Sequence, residues 1–113
     1  MTYAELISEL KKLELEEIRT NSNTLFEFVI RTELLQKLEE ILKRYFGIPV
    51  KPAGEAPSAG EDKSVSAYGG IRKDQTLYSL EREGASYYAM LWPWANGILL
   101  TVKVVQSPQK NDL

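Results

Sequence analysis

Tyr87-Tyr88-Ala89-Met90-Leu91-Trp92-Pro93-Trp94 is the stretch whose reading decides the fold. Its apolar side chains fall on consecutive positions, whereas a strand with one wet face alternates apolar with polar. A strand that needs cover on both faces is expected there. It ends just before Asn96-Gly97, the dipeptide favoured in two-residue type I′ hairpin turns. Working outward, an antiparallel meander is expected, with strands near 65–72, 75–82, 85–94 and 98–106. The turns between them are Lys73-Asp74, Glu83-Gly84 and Asn96-Gly97.

Tight turns set the register, so the cross-strand pairs can be written down. Trp94 should oppose Leu99, Trp92 Thr101, Leu91 Val102, Ala89 Val104 and Tyr88 Val105. Across Glu83-Gly84, Leu80 should oppose Tyr87, Tyr78 Ala89 and Leu77 Met90. One face then carries Tyr78, Leu80, Tyr87, Ala89, Leu91, Leu100, Val102 and Val104, a core face ready for a helix. The opposite face carries Leu77, Tyr88, Met90, Trp92, Trp94, Leu99 and Val105, diluted by Ser79, Glu81, Ser86, Thr101 and Lys103. Pro93 cannot donate to a ladder and favours an edge or a bulge; a bulge would turn Trp94 to the other face.

Two amphipathic helices are expected. Thr2-Tyr3-Ala4-Glu5 has capping-box spacing, and Tyr3, Leu6, Ile7, Leu10 and Leu13 follow at helical intervals. The second helix can be capped by Thr32, should carry the stripe Leu34, Leu35, Leu38, Ile41, Leu42, Tyr45 and Phe46, and should stop at Gly47 and Pro49. Three acidic-to-basic pairs at i, i+4 (Glu33 with Lys37, Glu39 with Lys43, Glu40 with Arg44) mark its solvated face. Between the helices, a hairpin at 15–30 around Asn21-Ser22-Asn23-Thr24 is preferred to one long helix capped by Thr24. Leu25-Phe26-Glu27-Phe28-Val29-Ile30 would place apolar groups around most of a helix circumference.

Residues 51–64, rich in Pro, Ala and Gly without a large apolar side chain, are expected to form a flexible loop. A lid over a ligand is the sharper alternative. The tail from 107 to 113 is polar and expected to fray. The fold class is thus α+β, one domain over 1–113, with two amphipathic helices on an antiparallel sheet.

The chain of 113 residues has no cysteine and no histidine. Thiolate and histidine catalysis, disulfides and Cys or His metal sites are excluded by inventory. A formal net charge of −2, with no basic run, argues against a nucleic-acid partner. The amino terminus carries Glu5 and Glu9 where a leader would be apolar, and Tyr87 to Leu100 is too short and broken to span a bilayer. A cytoplasmic protein without membrane attachment, metal or cofactor is expected. Glu81 and Glu83 beside Arg82 look like a solvated hairpin tip. Gly69-Gly70-Ile71-Arg72-Lys73-Asp74 lacks the spacing of a phosphate-binding loop and is better explained as a turn.

A non-enzymatic protein-interaction or self-assembly module is therefore expected, a homodimer or a complex with a protein partner. Its interaction face would be Tyr88, Met90, Trp92, Trp94 and Leu99, because exposed aromatic clusters of several hundred Å² often mark contacts. The alternative is a small-ligand pocket between this face and the 51–64 loop, with Arg72 and Lys73 as anion contacts. The competing structural explanation is that the amino-terminal helix covers the second face and makes Met90 and Trp92 core.

Overall fold

A computed structural model describes residues 1–108. The first helix, α1 (Tyr3–Lys11), starts at a complete capping box: Glu5 N–H donates to Thr2 Oγ1, and Thr2 N–H to the Glu5 carboxylate. A hairpin follows, β1 (Glu17–Asn21) and β2 (Leu25–Arg31), as preferred from sequence. Helix α2 (Leu35–Phe46) is next, ending at Gly47 with φ +80°. Thr32 does not cap it; a 3₁₀ turn at Thr32–Leu34 leads in, without a side-chain cap. Then come α3 (Ala59–Ser64), a 3₁₀ turn at Ser66–Tyr68, and β3 (Thr76–Arg82), β4 (Ala85–Pro93) and β5 (Leu99–Pro108). The five strands form one antiparallel sheet in the order β1-β2-β5-β4-β3. The class is α+β.

The meander holds its expected register at every pair within the strands, from Leu77 opposite Met90 to Trp92 opposite Thr101. Its turns differ. Glu83 and Gly84 both have positive φ, +50° and +77°, which makes this the type I′ turn. Asn96 has no positive φ; the chain turns one residue earlier, with Gly97 N–H donating to Trp94 O at 3.0 Å. Asn96 Oδ1 accepts from Ile98 and Leu99 N–H, and the longer loop still returns Trp94 N–H to Leu99 O. Pro93 needs no bulge: it opposes Leu100 and lies past Leu91, the last residue of β4 paired with β3.

Both helices pack on the same face. Leu6 and Leu10 of α1 and Leu38, Ile41, Leu42, Tyr45 and Phe46 of α2 share one core with Phe26, Phe28, Ile30, Tyr78, Ala89, Leu91, Leu100, Val102 and Val104. The amino-terminal helix therefore does not cover the second face. The reason is width: five strands at about 4.8 Å spacing span about 24 Å, and one helix covers about 10 Å. The core face takes both helices.

The second face is covered instead by the segment between α2 and β3. Residues 51–64, expected as a flexible loop, carry α3 with its own capping box between Ser58 and Glu61. Residues 65–72, expected as a strand, form the 3₁₀ turn and a loop that drops Val65 and Ile71 onto Leu77, Met90 and Val105, all five buried. A periodicity of two could not be distinguished in Val65-Ser66-Ala67-Tyr68, where Gly69 and Gly70, at φ +106° and +75°, break any strand. Lys73-Asp74 accordingly joins no hairpin. β5 runs through Pro108, further than expected, and residues 109–113 of the tail lie outside the described residues. Among the described residues, no helix is long and apolar enough to cross a membrane.

Candidate functional site

Two ties brace the cover internally and a third fastens it to the sheet. Lys51 is 1% exposed, and its ammonium donates to the carbonyls of Pro52 (3.0 Å), Lys73 (2.9 Å) and Gln75. Lysine has three donors, and all are used. Burial pushes this ammonium below the ordinary lysine value, against the attraction of Glu61, Asp74 and Glu55. The Asp62 carboxylate accepts from Ile71 N–H at 3.0 Å. Lys103, from β5, donates to Tyr68 O at 2.8 Å while its ammonium stands 3.8 Å from the centre of the Trp92 ring.

Trp92 is thus enclosed. Gly69 lies so close to the ring that a Cβ there would collide with Trp92 Cη2, stand 3.0 Å from Cζ2 and come within 3.4 Å of Lys103 Nζ. Its indole N–H is buried without a partner among the described residues. Burial lowers the Lys103 ammonium below the ordinary lysine value; Glu27 opposes this and Arg19 adds to it.

The five residues expected to share an interaction face are divided by this cover. Met90 is fully buried beneath Val65 and Ile71 and is lost to any surface. Tyr88, half-buried, lines a cleft of about 380 Å³ between the sheet and α3, with Leu77, Ser79, Val50, Ser58, Gly60, Glu61 and Ser64. Trp92 is half-buried in the cover's edge, and Leu99 is half-buried at the start of β5. Trp94 remains 36% exposed beyond the cover; Pro93, next in sequence, is exposed on the other face, where it opposes Leu100, and Ile98 in the following loop is 51% exposed.

Trp94 is nonetheless held in place. Its indole N–H donates to Thr101 Oγ1 at 2.9 Å, and the Arg19 guanidinium lies 5.5 Å from its ring centre. Arg19 sits at the irregularity in β1, where the register shifts between Ile18 and Thr20, and is itself bound by Glu17 at 2.5 Å and approached by Glu27 at 4.0 Å. A bulge re-aims a side chain in this manner.

The two anion contacts expected from sequence do not assemble. Arg72 and Lys73 are exposed and neither lines the cleft. Their backbones serve the cover: Arg72 N–H donates to Gln75 Oε1, and Lys73 O accepts from Lys51 and Gly54. The charged residue that does line the cleft, Glu61, has the wrong sign for an anion. A wider concavity beside α2, about 670 Å³, is walled by Lys37, Glu40, Lys43 and Arg44 and is the solvated face expected there. No group of three or more acidic, histidine or cysteine residues able to hold a metal occurs among the described residues.

Arg19, Lys51, Gly69, Ile98 and Lys103 were not singled out from sequence as site residues. Lys103 could have been, since a lysine inside Val102-Lys103-Val104 on an apolar face needs an acceptor or a ring. Lys51 carries no such signal within Val50-Lys51-Pro52. Compared with family models, with curated proteins and with solved structures, the chain matches none.

Proposed function

We propose that this chain is a non-enzymatic protein-interaction module of the cytoplasm, self-assembling or binding a protein partner through the tryptophan end of the sheet. The observation that carries this reading is a large aromatic side chain that is exposed yet already immobilised. Trp94 is pinned by Thr101 and by Arg19 and is still 36% exposed. An anchor ordered before contact loses little side-chain entropy on binding, and buried tryptophans are frequent hot spots. Leu99 and the rim of Trp92 extend the apolar ground behind it. Arg19 and its carboxylates supply a polar border.

Self-association is the first test. Sedimentation or light scattering across the micromolar range should show a dimer or larger species. Trp94→Ser with Ile98→Ser should return a folded monomer, because neither residue belongs to the two buried clusters. If the parent chain is monomeric throughout and the double variant retains every partner the parent captures, the tryptophan end is not the contact.

A further inference from the structure

The outward edge of β3 carries backbone groups that the fold leaves unused. Leu77 N–H donates to Lys51 O at 2.9 Å, and Leu77 O accepts from Val50 and Lys51 N–H at 2.9 and 3.2 Å. The Leu77 backbone therefore points away from β4. Alternate residues of a strand repeat that direction, and β3 pairs with β4 from Thr76 to Arg82 without a register shift. Ser79 and Glu81 thus also aim their N–H and C=O outward. The short bridge at Lys51 stops before them: Pro49, the next residue to oppose Ser79, has no N–H to give, and its carbonyl makes no bond with Ser79 N–H. Among the described residues, no other group pairs with the outward backbone of Ser79 or Glu81.

The opposite edge of the sheet is treated differently. β1 is five residues long, irregular at Arg19 and polar, which are the devices that discourage strand addition. The free part of β3 instead borders the 380 Å³ cleft floored by Leu77 and Tyr88, with the half-exposed Val50 at its side.

We propose that this edge is a docking slot for an extended, cationic segment of a partner protein, added to the sheet as a further strand beside β3. Main-chain hydrogen bonds at Ser79 and Glu81 would supply the pairing, and the cleft would take an alternate apolar side chain. The sign of the partner follows from the rim. Glu81 shares a face with Ser79, and Glu61 lines the cleft across from it. Elsewhere the cover is balanced, Glu55, Asp62 and Asp74 standing against Lys63, Arg72 and Lys73, so the sign is set at the slot itself by Glu61 and Glu81. A second copy does not fit: antiparallel pairing of two β3 edges over these residues brings two acidic rims together. The slot does not depend on the contact at Trp94.

The test uses the full isotope-labelled chain and two blocked octapeptides, one alternating lysine with valine and one alternating glutamate with valine. The lysine peptide should shift the Ser79 and Glu81 amides and slow their hydrogen exchange; the glutamate peptide should not. Ser79→Pro removes one outward donor without touching the β4 ladder and should weaken the lysine peptide about tenfold. Glu81→Lys, at an exposed site, should shift preference toward the glutamate peptide with the spectrum otherwise kept. Three outcomes overturn the proposal. These are silence of both amides toward both peptides, binding indifferent to both substitutions, and protection that grows with protein concentration alone, which would assign the edge to a second copy.

Discussion

Gly69 and Trp92 make the closest approach of any glycine to a side chain among the described residues. Gly69 combines φ +106° with the absence of room for a Cβ against the indole, so alanine there is both strained and clashing. Gly69→Ala should cost roughly 2 to 3 kcal/mol. A lowered urea midpoint at unchanged slope, with a shift in tryptophan emission, is the expected signature. Adding Trp92→Leu should recover part of the loss, since the clash is with the far ring of the indole. An unchanged midpoint in Gly69→Ala would mean that the cover moves aside at no cost. The two lysines nearby show how the same side chain serves opposite ends of the cover. Lys51 exhausts its three donors on carbonyls, whereas Lys103 divides its charge between a carbonyl and an aromatic face.

Among the elements, the β3–β4 hairpin carries a correctable defect. Glu83 is the one non-glycine with positive φ among the described residues. Asparagine tolerates that conformation better than glutamate, and Asn-Gly is the preferred type I′ pair. Glu83→Asn should stabilise the fold by about 0.5 kcal/mol, read as a rise in thermal midpoint. The loop at 95–98 should not respond to the same logic, because Asn96 works there through its side-chain oxygen rather than through positive φ. At this scale the sequence was informative where local chemistry decided. The Thr2 capping box, the leucine stripe of α2, the hairpin at 15–30 and the register of the meander were all legible from spacing and turn residues. The strand expected at 65–72 was not. Val65 and Ile71 are buried there as single apolar plugs in an irregular chain, and no periodicity reports such a use.

For the whole molecule, the core face holds a chain of aromatic rings in which three tyrosine hydroxyls, those of Tyr3, Tyr45 and Tyr78, are kept neutral by burial. Tyr3 and Tyr45 stand 5.3 and 5.6 Å from Tyr87, ring centre to ring centre, and Phe46 lies 5.8 Å from Tyr78. Burial pushes the Tyr45 and Tyr78 hydroxyls up to about 12, and raises Tyr3 as well. A folded value above the unfolded one, near 10, means that the folded state holds its protons longer. The stability from these neutral tyrosines is complete below about pH 10 and is lost as pH rises toward about 12. Tyrosinate absorbance and near-ultraviolet dichroism should therefore change together in that window; ionisation of Tyr3, Tyr45 and Tyr78 near pH 10 with the fold intact would contradict this burial. The candidate site was legible only in part. Sequence picked out the aromatic face but could not assign its cover. By itself, the sequence determined which side chains share each face of the meander, because strand period and turn length set them locally. What only the tertiary structure decided is which of those side chains reach the surface. Sheet width commits both helices to one side, and an apolar-poor segment with a buried lysine closes most of the other. Trp94 is left outside that closure, and so is the outer edge of β3.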